Sequence, residues 1–244
     1  PFTSTASAQT TDWPTVIRAV RPAVVWILVE TDEGLGAGSG TLISADGYIL
    51  TANRVIDDAT GEISVVVEET YRYTASVISS DPDSDIAILK IPATGLTWVP
   101  LGDSDQVDIE EEIRVFGYPL PDVGVGLIVV RGIIQGTRVR DGVRWLQHNA
   151  TTAAGHSGGP VVNGKGEVIG VHSSELVDQP EYRLATAVNE ARRFIPSGVL
   201  PVGAPPPRST APSGMVLIPA GSFQMGDSFG EGNPGERPVH TVYV

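Results

Sequence analysis

Between residues 23 and 91 the chain repeats one pattern: a short run of β-branched and other apolar residues, closed by Gly, Asp or Asn. Ala23–Val29, Thr41–Ser44, Tyr48–Thr51, Ile63–Glu68, Thr70–Ser79 and Asp85–Ile91 are each too short for a core helix and rich in residues that suit a pleated surface. Asp46-Gly47 lies between two of them and supplies the positive φ angles of a hairpin turn. A second block begins near Val99 and repeats the pattern at Ile113–Pro119, Leu127–Gln135, Arg144–His148 and Val161–Val171. Short strands at roughly ten-residue spacing predict an all-β barrel or sandwich. Helix is expected only at Asp12–Val20, where Asp12 can cap and Pro14 sits in the first turn, and at Val188–Ile195. Gly34, Gly36, Gly38 and Gly40 read as a loop. No Gly-Lys-Ser/Thr ending and no helix follow them, which excludes a nucleotide-phosphate loop.

Composition narrows the function classes. The 244 residues carry a net charge of −13, spread along the chain, so nucleic acid is not an expected partner. Cysteine is absent, which removes disulfides, thiolate metal sites and a cysteine nucleophile. No His/Asp/Glu cluster has metal-ligand spacing, and neither metal nor cofactor is expected. No apolar run approaches the ~20 residues of a membrane span. At the N-terminus, Ala6-Ser7-Ala8 before Gln9 resembles the small-residue end of a secretory signal peptide, which would make the protein exported, periplasmic or extracellular. A disordered Thr/Ser tail fits residues 1–11 equally well.

The chemistry-bearing stretch is Gly155-His156-Ser157-Gly158-Gly159-Pro160. Gly155 can take a backbone angle that other residues avoid, which lets N–H groups around Ser157 converge on a developing negative oxygen. A glycine turn between two strands is the plainer reading of these six residues alone.

Three motifs together resemble the trypsin-like serine peptidases of the HtrA/Deg type: Gly38-Ser39-Gly40-Thr41-Leu42-Ile43-Ser44-Ala45-Asp46-Gly47-Tyr48-Ile49-Leu50-Thr51, Asp81-Pro82-Asp83-Ser84-Asp85-Ile86-Ala87-Ile88-Leu89-Lys90, and the Ser157 stretch. Their order and spacing agree with that family over about residues 12–198. The resemblance implies a chymotrypsin/trypsin-like double β-barrel, two perpendicular six-stranded barrels with the site in the cleft between them. Barrel one would span 12–98 and barrel two 99–200. It makes Ser157 the nucleophile, Asp85 the orienting acid, and the N–H groups of Gly155 and Ser157 the oxyanion hole. It puts Thr151 at the base of the P1 pocket and His172 and Ser173 along the substrate. Thr151 carries no charge, so small or aliphatic side chains are expected there. No peptide-binding PDZ-like domain follows, unlike most of that family.

The resemblance also implies a histidine base after Thr51-Ala52-Asn53, and this chain has Arg54 there. Val55 and Ile56 continue the family pattern. The triad needs a near-neutral imidazole that takes the serine proton and returns it. Arginine stays protonated, with a pKa above ~12, and cannot. Its guanidinium can instead pair with Asp85, which would otherwise be a costly unpaired carboxylate. Among His148, His156 and His172, the nearest candidate for a replacement base is His172, but all three read as surface or cleft hydrogen-bonders, because a base has to sit within hydrogen-bond reach of Ser157.

Residues 201–213, with Pro205-Pro206-Pro207, read as an extended linker. Residues 214–244 resemble the opening of a formylglycine-generating-enzyme (sulfatase-modifying factor) domain, without that family's catalytic cysteines, so a truncated start of a second domain is expected. Three readings stay open. In the first, the chain is a pseudopeptidase, inactive or very weak, that binds a peptide or partner in the old cleft. In the second it is an active endopeptidase cleaving a polypeptide substrate after small or aliphatic residues. In the third it is a structural β-domain presenting the C-terminal module. Oligomeric state is not legible.

Overall fold

The computed structural model describes residues 11–119, 126–176, 179–200, 222–225 and 240–243. The expected N-terminal remnant and Pro-rich linker lie outside them. Helix α1 (Trp13–Val20) begins where Asp12 accepts hydrogen bonds from the Thr15 N–H and hydroxyl, at 3.3 and 2.6 Å. It buries Trp13 and Val20.

Seven strands follow: β1 (Val24–Thr31), β2 (Gly34–Leu42), β3 (Tyr48–Thr51), β4 (Ile63–Val67), β5 (Tyr71–Thr74), β6 (Ser76–Asp81) and β7 (Ile86–Lys90). They form one antiparallel sheet in the order β5-β4-β1-β2-β3-β7-β6. Its two edge strands, β5 and β6, are separated in sequence by Ala75 alone. One residue spans only a few ångströms, so the sheet has to roll to bring its two edges together at that corner. The result is a half-barrel lined by Val25, Ile27, Leu42, Ile49, Leu50, Val65, Ile86 and Ile88.

Two expectations are corrected here. The single strand read at Thr70–Ser79 is two, broken at Ala75, because its first half pairs with β4 and its second with β7. Seven strands, rather than six, result. The loop read at Gly34–Gly40 is strand β2, paired along its length with β1. Gly38 and Gly40 answer crowding. A Cβ on Gly40 would lie 2.8 Å from Ile49 Cγ2 and 2.9 Å from Ile27 Cδ1.

The second half is a closed barrel in the order β10-β13-β12-β11-β8-β9. Its strands are β8 (Glu112–Gly117), β9 (Ile128–Arg140), β10 (Val143–His148), β11 (Pro160–Val162), β12 (Val168–Leu176) and β13 (Gln179–Ala187). Strand β13 was not expected, since Gln179-Pro180-Glu181-Tyr182-Arg183 lacks alternation; it forms because barrel closure gives it two partners, β10 and β12. The helix expected at Val188–Ile195 is one α-turn, α2 (Val188–Ala191), continued by a 3₁₀ turn through Phe194. Ile113, Val115, Ile134, Leu146, Val161 and Ile169 fill this barrel. Phe116, Val162, Val168 and Val171 join the apolar cluster of the first half, so the halves share a core.

Residues 208–244 form a separate unit. Within it β14 (Ser222–Met225) pairs antiparallel with β15 (His240–Tyr243). The rest of the expected second-domain opening lies outside the described residues.

Gly40→Ala should cost about 1–3 kcal/mol through overpacking against Ile49 and Ile27. Urea unfolding checks this: the midpoint should fall with its slope unchanged.

Candidate active site

The Ser157 turn lies between β10 and β11, where the second barrel faces the first. Gly155 and Gly158 take φ of +95° and +82°. Both are also crowded. A Cβ on Gly155 would lie 2.5 Å from the Tyr118 carbonyl oxygen, and one on Gly158 would lie 2.2 Å from the Ser39 carbonyl oxygen. The turn is therefore pressed against both halves, and only glycine fits at these positions.

Ser39, fully buried on β2, ties the turn down. Its N–H donates to the Ser157 carbonyl at 2.8 Å and its hydroxyl donates to the Gly155 carbonyl at 2.7 Å. The same hydroxyl accepts from the Tyr118 N–H at 2.9 Å, and the Thr51 hydroxyl donates to the Ser39 carbonyl at 2.7 Å. Sequence reading passed Ser39 over. The available signal was a polar residue between two glycines at a position where the strand pattern points inward. From the other side, the Gly158 N–H donates to the His172 carbonyl at 2.7 Å.

Arg54 and Asp85 meet opposite this turn. Arg54 lies in a 3₁₀ turn (Asn53–Val55) directly after β3. Asp85 precedes β7 at a φ of +53°, unusual for a residue with a side chain. Its carboxylate accepts from Arg54 Nε at 2.7 Å through one oxygen and from the Arg54 backbone N–H at 2.9 Å through the other. The expected ion pair is thus formed. Asp85 is 7% exposed and Arg54 40% exposed at the side chain, so the carboxylate lies beneath and the guanidinium at the surface.

Ser173 links the two groups. Its hydroxyl donates to Asp85 Oδ2 at 2.7 Å, while its carbonyl accepts from the Ser157 hydroxyl at 3.0 Å. The Ser157 proton therefore points at a carbonyl oxygen. Ser173 is buried. Thr151 is exposed, on the loop after β10. The structure thus brings Arg54, Asp85, Ser173 and Ser157 into one hydrogen-bonded chain.

The histidines depart from expectation. His148, His156 and His172 are all buried and lie together behind the Ser157 turn, rather than at the surface or in the cleft. The Ala150 N–H points at His148 Nδ1 (3.3 Å), which makes that nitrogen the acceptor and Nε2 the donor. His148 Nε2 lies 3.2 Å from His172 Nδ1, and the His156 ring meets His172 edge-on at 6.5 Å. Burial, with the positive charge of Arg183, lowers the His148 pKa to about 4. Burial lowers that of His156 against an opposing hydrogen bond from its Nδ1 to the Ala153 carbonyl. Burial, then His148, His156, Arg183 and Arg54, hold His172 well below the usual range. All three are neutral at pH 7. Among the described residues no group of His, Asp or Glu side chains is arranged to hold a metal ion.

A serine in a glycine turn, clamped between two antiparallel β-barrels and joined through Ser173 to a buried carboxylate, defines the class of chymotrypsin-like serine peptidases. The chain belongs to the trypsin-like peptidase domain family, whose model matches residues 38–171, and the relatives it is similar to are of the HtrA/DegP type. It is 37% identical over 140 residues to a relative described as a probable periplasmic serine endoprotease, DegP-like, from Chlamydia muridarum. That match covers 56% of this chain and 28% of the relative. A relative of the same description from Ectopseudomonas mendocina is 38% identical over 144 residues, covering 58% and 30%. The chain thus spans under a third of these relatives' length. Among solved structures, the HtrA-type protease AlgW with tripeptide matches with a TM-score of 0.67 at 28% identity, over 74% of this chain and 61% of that one. The serine endoprotease from Yersinia pestis matches with a TM-score of 0.65 at 30% identity, over 75% and 65%.

The buried histidines predict acid sensitivity. The unfolded chain takes up protons below about pH 6.5 that the folded chain refuses. Their neutral burial is therefore fully tolerated above that pH, and stability is lost as pH falls toward 4. His148 alone should cost about 2 kcal/mol of stability between pH 7.5 and 5. Urea midpoints across that range should fall, and less steeply in His148→Gln.

Proposed function

We propose that this domain is an HtrA/Deg-type peptidase unit that holds peptides in its cleft and hydrolyses them poorly, because Arg54 stands where the general base belongs. The observation that carries the reading is the Arg54 Nε–Asp85 Oδ2 bond at 2.7 Å. In the triad the acid orients an imidazole toward the serine. Here Asp85 is engaged by a group that cannot accept a proton at any physiological pH. The Ser157 hydroxyl donates to the Ser173 carbonyl, which is no base either. None of the three histidines His148, His156 and His172 supplies a substitute: His172 Nδ1 pairs with His148, and all three are buried behind the turn.

The remainder of the machinery supports retention of the binding cleft. Gly155 and Ser157 take the oxyanion-hole roles in this reading, and their N–H groups donate to no backbone carbonyl among the described residues. Ser157 is the nucleophile by position, Asp85 the acid, and Arg54 the replaced base. Thr151, His172 and Ser173 line the substrate side. Given their burial, His172 and Ser173 contribute through backbone atoms, and Ser173 also anchors Asp85. The relatives' periplasmic description and the Ala6-Ser7-Ala8 stretch support export. The resemblance of residues 214–244, which contain the β14–β15 hairpin, supports the start of a second, formylglycine-generating-enzyme-like unit.

A fluorophosphonate probe tests the reading. The unaltered protein should label at Ser157 far below one equivalent, whereas Arg54→His should label and gain at least about 10³-fold in kcat/KM on an unstructured polypeptide, given that losing a triad histidine costs ~10⁶ in kcat in subtilisin. Stoichiometric labelling of the unaltered chain would instead establish the active-endopeptidase reading.

A further inference from the structure

The turn that carries Ser157 also carries a buried histidine. We propose that the His156 ring is a proton-operated latch: seated in its socket it holds the Ser157 turn closed, and acid draws it out and opens the turn while both barrels stay folded. The proposal rests on the reading of the site as a binding cleft for what the latch regulates, and the motion itself can be measured without a ligand.

Three observations carry the inference. First, His156 is 1% exposed, and its Nε2 has no hydrogen-bond partner among the described residues. Its Nδ1 lies 3.2 Å from the Ala153 carbonyl oxygen and 3.3 Å from the Ala153 nitrogen. Whichever of these Nδ1 meets, Nε2 stays unmatched, a cost that the ring sheds on reaching water. Second, the fold keeps a slot for this ring. A Cβ on Gly117, the last residue of β8, would lie 2.9 Å from His156 Cδ2 and 2.7 Å from its Cα. The His172 ring closes another side, edge-on at 6.5 Å. Third, of the three buried histidines, His156 can leave without breaking a strand ladder. His148 lies in β10, paired with β9 and β13, and His172 lies in β12, paired with β11 and β13. His156 lies between β10 and β11, where its N–H donates to the Ala153 carbonyl at 3.1 Å and its carbonyl accepts from the Gly159 N–H at 2.9 Å.

The socket does not favour a charged ring. From β12 it is faced by His172, with His148 of β10 beyond, and Arg183 of β13 and Arg54 add positive charge at His172. From β8, Tyr118 turns its hydroxyl away to the Val24 carbonyl at 3.4 Å. Asp85, bound by Ser173 next to His172 in sequence, is already matched by Arg54. A proton on His156 therefore favours the open form. Burial holds the pKa of the seated ring below its ordinary value. The closed form is thus fully favoured above about pH 6.5, and loses up to about tenfold against the open form per pH unit below it. His156 sits between Gly155 and Ser157, so withdrawing it turns the Ser157 N–H and the Gly155 carbonyl that the Ser39 hydroxyl holds. The open form lacks the proposed oxyanion donors, and acid lowers the fraction of protein able to hold a peptide.

Hydrogen exchange of the His156 and Gly159 amides, followed by NMR on the unaltered full chain and corrected for intrinsic exchange at each pH, tests the latch. Their protection should fall at least about fivefold from pH 7.5 to 5. The fall should persist in His148→Gln and shrink to under about twofold in His156→Asn, which has no titrating ring. Flat protection in the unaltered chain overturns the latch. A fall that is lost in His148→Gln overturns it too, since the turn would then open only with the barrels, and this result stands even where His156→Asn does not fold. A fall that survives His156→Asn assigns the proton elsewhere and likewise overturns it. Failure of acetyl-Ala-Ala-Ala-Val-amide to bind at millimolar concentration and pH 7.5 overturns the cleft reading alone, because the exchange is measured without peptide.

Discussion

The site depends on one ion pair. Asp85 is a buried carboxylate at the start of β7, in a backbone conformation that few side-chain-bearing residues adopt. A group so placed needs partners, because an uncompensated buried charge costs several kcal/mol. It receives three hydrogen bonds: from Arg54 Nε, from the Arg54 backbone N–H and from the Ser173 hydroxyl. These join the turn after β3, the start of β7 and strand β12. Through the Ser173 hydroxyl the ion pair is tied to the second half of the fold at the cleft. In the proposed reading the pair supplies structurally what an imidazole would supply and lacks the proton-accepting nitrogen that acyl transfer uses.

The same junction is reinforced by Ser39, whose four hydrogen bonds reach the Ser157 turn, Tyr118 and Thr51. Farther along, the Thr186 hydroxyl donates to the Ser84 carbonyl at 2.7 Å, next to Asp85. Polar groups buried between barrels hold a register more strictly than apolar contact does, since each is costly if left unmatched. The turn keeps the geometry of a reactive serine because the fold itself needs that geometry, whatever Ser157 does.

Much of this was legible in the sequence. Short β-branched runs predicted the all-β class, three spaced motifs predicted the double barrel, and Arg54 beside a fixed carboxylate predicted their pairing. The failures have physical reasons. Glycines at 34, 36, 38 and 40 signalled a loop because glycine more often marks freedom than crowding; in β2, Gly38 makes room for Val55 and Gly40 for Ile27 and Ile49 instead. Ala75 carries no turn signal, and the break there follows from the half-barrel having to close. Strand β13 lacks an alternating pattern and exists through its two neighbours. The histidines read as surface groups because isolated histidines usually are. Their clustering depends on β10, β12 and the Ser157 turn meeting in space, which spacing along the chain does not encode.

The most direct measurement is a double-mutant cycle on the central pair. Unfolding free energies of the unaltered protein, Arg54→Met, Asp85→Asn and the double variant give the coupling between the two side chains. With Asp85 buried and Arg54 partly solvent-screened, the account predicts a favourable coupling of about 1–2 kcal/mol. Additive single-variant effects, with no coupling, would contradict it: Arg54 would then be a bystander at the cleft rather than the group that holds Asp85 in place.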